Sequence, residues 1–138
     1  MRVLIIDAQG GGIGRQLVAA VRRQLPDAVV TAVGANTAAT SAMMKAGAHH
    51  AATGENAVVV ACRQADVILG PIGIVIADSL WGEITPKMAA AVGQSQAKRI
   101  LIPFNHCDNI IAGVPDAGAG ALIDAAVDAL LSMAGPGA

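Results

Sequence analysis

A chain of 138 residues can bury one continuous core without disulfides or a structural metal, so one domain over 1–134, with a flexible tail at 135–138, is expected. The apolar share is 54%, much of it alanine, and the aromatics are one Phe and one Trp with no Tyr, which predicts closely packed helices over a bulky core. A net charge of −1 offers no basic stripe to a phosphate backbone, and so few aromatics leave no stacking platforms along a strand, which argues against nucleic acid as a partner.

Arg2 to Asp7 is a short apolar run that reads as a first strand. It ends in a glycine cluster, after which Ile13, Leu17, Ala20, Val21 and Leu25 recur at helical spacing until Pro26 and Asp27 stop the helix. Ala28 to Val33 is a second β-branched run closed by Gly34. Thr37 to Ala46 reads as a helix with Asn36 as N-cap and Gly47 as the C-terminal glycine, and an extended piece, Ala48 to Ala52, follows. A helix from Thr53 or Gly54 to about Gln64 leads to a fourth strand, Asp66 to Leu69, ending at Gly70-Pro71. Ile74 to Leu80 is expected to be helical, and Thr85-Pro86 opens a further helix to about Val92. Lys98 to Ile102 is a fifth strand, Asn109 to Val114 a sixth, and Ala119 to Met133 a final amphipathic helix.

Strands that are apolar throughout and alternate with helices predict an α/β fold of Rossmann type. The expected sheet is doubly wound and mainly parallel, with five to six strands and helices on both faces. In such sheets ligands bind beyond the carboxyl ends of the strands, where strand order reverses. The turns after strands one and four should flank that point.

The chain enters its first strand at once, so no leader is expected, and its longest apolar run, Val67 to Ala77, is too short to span a bilayer and is broken by Gly70, Pro71 and Gly73. A cytoplasmic protein without a membrane partner is expected, with Cys62 and Cys107 as reduced thiols.

The segment Gly10-Gly11-Gly12-Ile13-Gly14 brings backbone N–H groups, unobstructed by Cβ atoms, to the start of a helix, where the dipole favours an anion. A phosphate-bearing small molecule is the expected ligand, and a turn that only packs is the competing reading. Arg15 stands where G-x-G-x-x-G has its third glycine, so the spacing is nearer the looser turn of short-chain dehydrogenases, with Gly12 and Gly14 as its last two glycines and Ala8 at its first. No Gly-Lys-Ser/Thr occurs, which excludes a P-loop. Arg15 is either a phosphate ligand or a solvated side chain. The second strand closes on Gly34-Ala35-Asn36-Thr37 without the acid that binds a ribose, which weighs against NAD, and without the Arg that suits NADP. NAD(P) or another nucleotide stays open as the cofactor, with Asn36, Thr37 and Asn105 as polar contacts and Gly70-Pro71-Ile72-Gly73 as the other wall of the crevice. The absence of Tyr rules out the short-chain dehydrogenase proton transfer.

Other groups able to move a proton are Glu55, Asp78, Glu83, Lys87 and His106, each equally readable as a cap or surface charge. His49-His50 and His106-Cys107-Asp108 carry ligand-type side chains, but adjacent residues of an extended segment face opposite ways, and no metal is expected. Cys107 is a possible nucleophile.

The glycine turn, Ala39-Thr40-Ser41-Ala42-Met43, Ala52-Thr53-Gly54-Glu55-Asn56-Ala57, Gly70-Pro71-Ile72-Gly73-Ile74, Gly82-Glu83-Ile84-Thr85-Pro86-Lys87-Met88 and Leu101-Ile102-Pro103 together resemble a family of short bacterial proteins catalogued as a domain of unknown function. The resemblance covers nearly the whole chain and implies a stand-alone Rossmann-like unit with no established activity. A nucleotide- or phosphate-binding protein is therefore the first expectation, a small oxidoreductase using a bound dinucleotide the second, and an interaction module without ligand the third. The apolar surface of 37–47 and of Ile72 to Trp81 adds the expectation of a homodimer.

Overall fold

The computed structural model describes residues 1–104 and 109–135. Five strands, β1 (Arg2–Asp7), β2 (Val29–Gly34), β3 (His50–Thr53), β4 (Val67–Pro71) and β5 (Lys98–Ile102), form one parallel sheet in the order β3-β2-β1-β4-β5. Five helices connect and close it: α1 (Gly12–Gln24), α2 (Thr37–Lys45), α3 (Glu55–Cys62), α4 (Pro86–Gln94) and α5 (Ala119–Ala134).

Alternation along β1 divides the core. Val3 and Ile5 face the layer of α1, α2 and α5, and Leu4 and Ile6 face the layer of α3 and α4. Both faces of the sheet are covered, which is why its central strands are apolar without a break. Helix starts follow local chemistry: Asn36 accepts the Ala39 N–H to cap α2, and Thr85 accepts the Met88 N–H to cap α4, with Pro86 in the first turn. Strand order reverses between β1 and β4, so the carboxyl ends Asp7 and Pro71 flank the switch point.

Two expected elements are corrected. The segment Ile74 to Leu80 is no α-helix: a single 3-10 turn, Ile72–Val75, gives way to a series of turns. Its apolar spacing arises because Ile74, Leu80 and Ile84 plug the α3/α4 core from a loop, while left-handed Asp78, Leu80 and Trp81 prevent helical continuation. Asn109 to Val114 forms no strand. Ile110 is 93% exposed, Gly113 has φ 79, and the Val114 N–H closes a turn on the Ile111 carbonyl. β-Branched composition alone does not make a strand. The described sheet accordingly has five strands.

Candidate functional site

β1 ends at Asp7 and α1 starts at Gly12, so the chain reverses through Ala8, Gln9, Gly10 and Gly11 at the carboxyl edge of the sheet. Gln9 (φ 53) and Gly11 (φ 73) take left-handed backbone, and the Gly11 N–H donates to the Ala8 carbonyl at 3.0 Å.

The glycines of this turn fall into two groups. A Cβ on Gly11 would lie 2.9 Å from Ala39 Cα, and one on Gly14 would lie 2.6 Å from Met43 Sδ and 2.8 Å from Asp7 Cβ. Those two are glycine because α1 packs closely on α2 and on the end of β1. Gly10 and Gly12 differ: neither has positive φ, and a Cβ on either meets nothing within 4 Å. Their N–H groups have no hydrogen-bond partner among the described residues.

Asp7 is 5% exposed and sits beneath the turn. Its Oδ1 accepts the Ala8 N–H at 2.8 Å and its Oδ2 the Gly14 N–H at 2.7 Å. Burial pushes the carboxyl pKa above its ordinary value, the hydrogen bonds from Gly14 and Ala8 oppose that shift, and the nearby negative Glu83 adds to it. The carboxylate thus takes the helix donor at Gly14 that an incoming anion would otherwise use.

Glu83 grips the turn from outside. Its two oxygens lie 3.1 and 3.2 Å from the Gln9 N–H, and Oε2 accepts from Asn36 Nδ2 at 2.6 Å. Asn36 Nδ2 also donates to the Gln9 carbonyl at 3.0 Å, while its Oδ1 caps α2. Asn36 is therefore both a cap and a tie that fixes the turn.

A cleft of about 150 Å³ opens here, walled by residues 7–13 on one side and by Pro71, Leu80 and Phe104 on the other. Of the four residues expected to form the second wall, only Pro71 lines it. Gly70 is glycine because a Cβ would strike the Ile6 carbonyl oxygen, and Gly73 because one would lie 3.1 Å from Ser79 Oγ and 3.2 Å from Leu80 Cγ. Ile72 is half-buried in the 3-10 turn. Arg15 is exposed on the first turn of α1, and Thr37 is exposed at the start of α2. Asn105, His106, Cys107 and Asp108 lie outside the described residues.

The remaining candidates are dispersed. Glu55 accepts from Thr85 Oγ1 at 2.6 Å, Asp78 is exposed in the left-handed loop, and Lys87 belongs to a separate open groove of about 480 Å³ between α3 and α4. Cys62 borders that groove as a buried free thiol, pushed up to about 11 by burial. His49 Nδ1 accepts the Val30 N–H, whereas His50 lies in β3. Among the described residues no three His, Cys, Asp or Glu side chains are grouped to hold a metal, and no helix is long and apolar enough to cross a membrane.

Sequence reasoning missed the roles of Asp7 and Glu83 and the lining contributed by Leu80 and Phe104. Asp7 carried a usable signal: a carboxylate closing an otherwise apolar buried strand must find donors, and the next turn holds them.

A parallel five-stranded sheet with helices on both faces and a cleft at its switch point defines an α/β protein of Rossmann type. The chain belongs to the family described as Domain of unknown function (DUF3842), whose model matches residues 2–134. No curated protein matches it. Among solved structures it is similar to a dodecameric FMN-dependent Ubix-like decarboxylase from Escherichia coli O157:H7, at 18% identity over 94% of this chain and 76% of that one, with a TM-score of 0.46.

Proposed function

We propose that this protein binds a small phosphate-bearing molecule of nucleotide type, its phosphate against the N–H groups of Gly10 and Gly12. The carrying observation is the division of the glycines: Gly11 and Gly14 are needed for packing, whereas Gly10 and Gly12 border open space with ordinary φ. Gly12 occupies the first helical position, where neither a positive φ nor a close neighbour requires glycine. Close approach of a ligand to bare backbone would give glycine a use at both positions. The positive end of the α1 dipole adds to the attraction.

Asp7 and Glu83 limit the reading in a useful way. With two carboxylates beside the turn, the site favours an anion whose charge is spread or partly exposed over one buried whole. The proposal includes a homodimer, for which Met44, 51% exposed on α2, and half-buried Ile72, Val75 and Ile76 offer apolar surface. Light scattering at high micromolar concentration tests that part, and a monomer there removes it.

The binding test is a thermal-shift panel of adenine and guanine nucleotides, dinucleotides and sugar phosphates. Ligand at a hundredfold excess over Kd stabilises the fold by about 2.7 kcal/mol. For a domain of this length that is a shift on the order of 10 °C. Gly12→Val should abolish the shift. If no member of the panel moves wild type, and no small molecule is released on denaturing the purified protein, the turn serves packing alone.

A further inference from the structure

The whole chain contains one Trp, one Phe and no Tyr. Phe104 lines the cleft itself. Trp81 follows Leu80, which also lines it, and precedes by two positions Glu83, which holds Gln9. Successive Cα atoms are about 3.8 Å apart, so the Trp81 backbone adjoins a residue that lines the cleft, although the indole is not itself part of the lining. There it is 95% exposed.

That exposure is enforced by the backbone. Asp78 (φ 64), Leu80 (φ 55) and Trp81 (φ 58) are all left-handed and are followed by Gly82 at φ 78. L-residues avoid this region, and bulky ones more than most. The conformation is held from several sides: the Asp78 N–H donates to the Ile84 carbonyl at 2.7 Å, the Gly82 N–H to Asp78 and the Glu83 N–H to Leu80 at 3.2 Å each, and Ser79 Oγ to the Gly73 carbonyl. Leu80 and Ile84 on either side are buried. A loop tied down this firmly holds the Trp81 backbone in place, and burial among the described residues does not account for an indole there.

The size of the cleft gives the indole a use. At about 150 Å³ it is well under the roughly 300 Å³ at which pockets enclosing whole ligands begin. A ligand of nucleotide size would extend out of it, past Leu80 and Phe104.

We propose that Trp81 is the stacking platform for a planar ring on the bound molecule, which narrows the ligand class to phosphates bearing an aromatic ring, mononucleotides in the first place. This inference rests on the reading of the glycine turn given above. Stacking on an aromatic side chain tolerates different bases, because every base has a π-face, so the platform selects for a ring and not for its identity.

The test uses the full chain and isothermal titration with AMP, GMP and flavin mononucleotide, set against ribose 5-phosphate as the ring-free probe. Trp81 is the sole indole and Tyr is absent, so emission on titration with AMP or GMP reports this side chain alone. At least one ring-bearing phosphate should bind about tenfold or more tightly than ribose 5-phosphate. AMP or GMP, where it binds, should quench the emission. Trp81→Ala should erase that preference, leave ribose 5-phosphate binding and the melting temperature unchanged, and Trp81→Phe should keep most of the preference. If ribose 5-phosphate binds wild type as tightly as the ring-bearing probes, or Trp81→Ala retains the preference, the platform is overturned while the glycine-turn site stands. If Trp81→Ala alters only the oligomeric state in light scattering, the indole serves a second copy and the platform is equally overturned. If neither ring-bearing nor ring-free phosphates bind, both readings fall together.

Discussion

The Asp7 carboxylate accepts the Gly14 N–H at 2.7 Å, joining the last residue of β1 to the first turn of α1 beneath the glycine turn. The same carboxylate accepts the Ala8 N–H, so one buried side chain satisfies donors on both arms of the reversal. Removing it in Asp7→Ala leaves two N–H groups without their acceptor. Hydrogen bonds to a charged group contribute about 1.5–3 kcal/mol each, part of which relaxation and water recover. Urea denaturation should show a loss of roughly 2–4 kcal/mol, with Asp7→Asn intermediate because its amide retains one acceptor oxygen.

The Asp7 pKa is raised in the folded protein, principally by burial. Between the ordinary aspartate value and the raised folded value, the native state holds a proton that the unfolded chain has released. The proton-linked part of Asp7's contribution to stability is therefore fully present below the ordinary value and is lost as pH rises through the folded value, while the hydrogen bonds to its carboxyl group remain. Asp66, salt-bridged to Arg2 at 3.3 Å on the surface, has a lowered pKa from the Arg2 backbone and side-chain hydrogen bonds, and acts in the opposite sense. Carboxyl NMR titration should find Asp7 titrating above, and Asp66 below, the ordinary aspartate value. Equal midpoints would contradict the burial of Asp7.

Glu83 raises the Asp7 pKa through its charge and faces the same turn. Glu83→Gln should lower the Asp7 pKa and tighten binding of a simple anion such as pyrophosphate by about three- to tenfold, the effect of deleting one partly screened like charge nearby. Weaker binding would mean that the grip of Glu83 on Gln9 matters to the site more than its charge does.

The glycines should separate by experiment as they do by geometry. Gly14→Ala places a methyl against buried Met43 and should cost roughly 1–3 kcal/mol, the usual range for overpacking. Gly11→Ala combines a 2.9 Å clash with left-handed backbone and should be at least as severe. Gly10→Ala and Gly12→Ala should keep the melting temperature or raise it slightly, since nothing lies within 4 Å of either Cβ. Chemical denaturation of the four variants checks the order.

Much of this architecture is legible in the residues themselves. The strand Arg2 to Asp7, the caps Asn36 and Thr85 and the strand Lys98 to Ile102 are local, and local chemistry specifies them. The family was legible as well, through motifs spread along nearly the whole chain. Tertiary ties were not. Glu83 meets Gln9 across 74 residues of sequence, and no spacing rule connects them. Ile74 and Leu80 look like a helical face because a loop that fills a core places its apolar residues where the core needs them, whatever the period. Gly70 and Gly73 suggested an open wall, and only the fold reveals the Ile6 carbonyl and Leu80 filling that space.

The central claim is that a phosphate meets the backbone at Gly10 and Gly12, and amide NMR on titration with AMP and ribose 5-phosphate tests it most directly. The account predicts the largest proton shifts at the Gly10 and Gly12 N–H groups, with Gly14 much less moved because Asp7 already holds its N–H at 2.7 Å. Shifts confined to the α3/α4 groove around Arg63, Lys87 and Gln96, or saturating ligand with Gly10 and Gly12 unmoved, would contradict it.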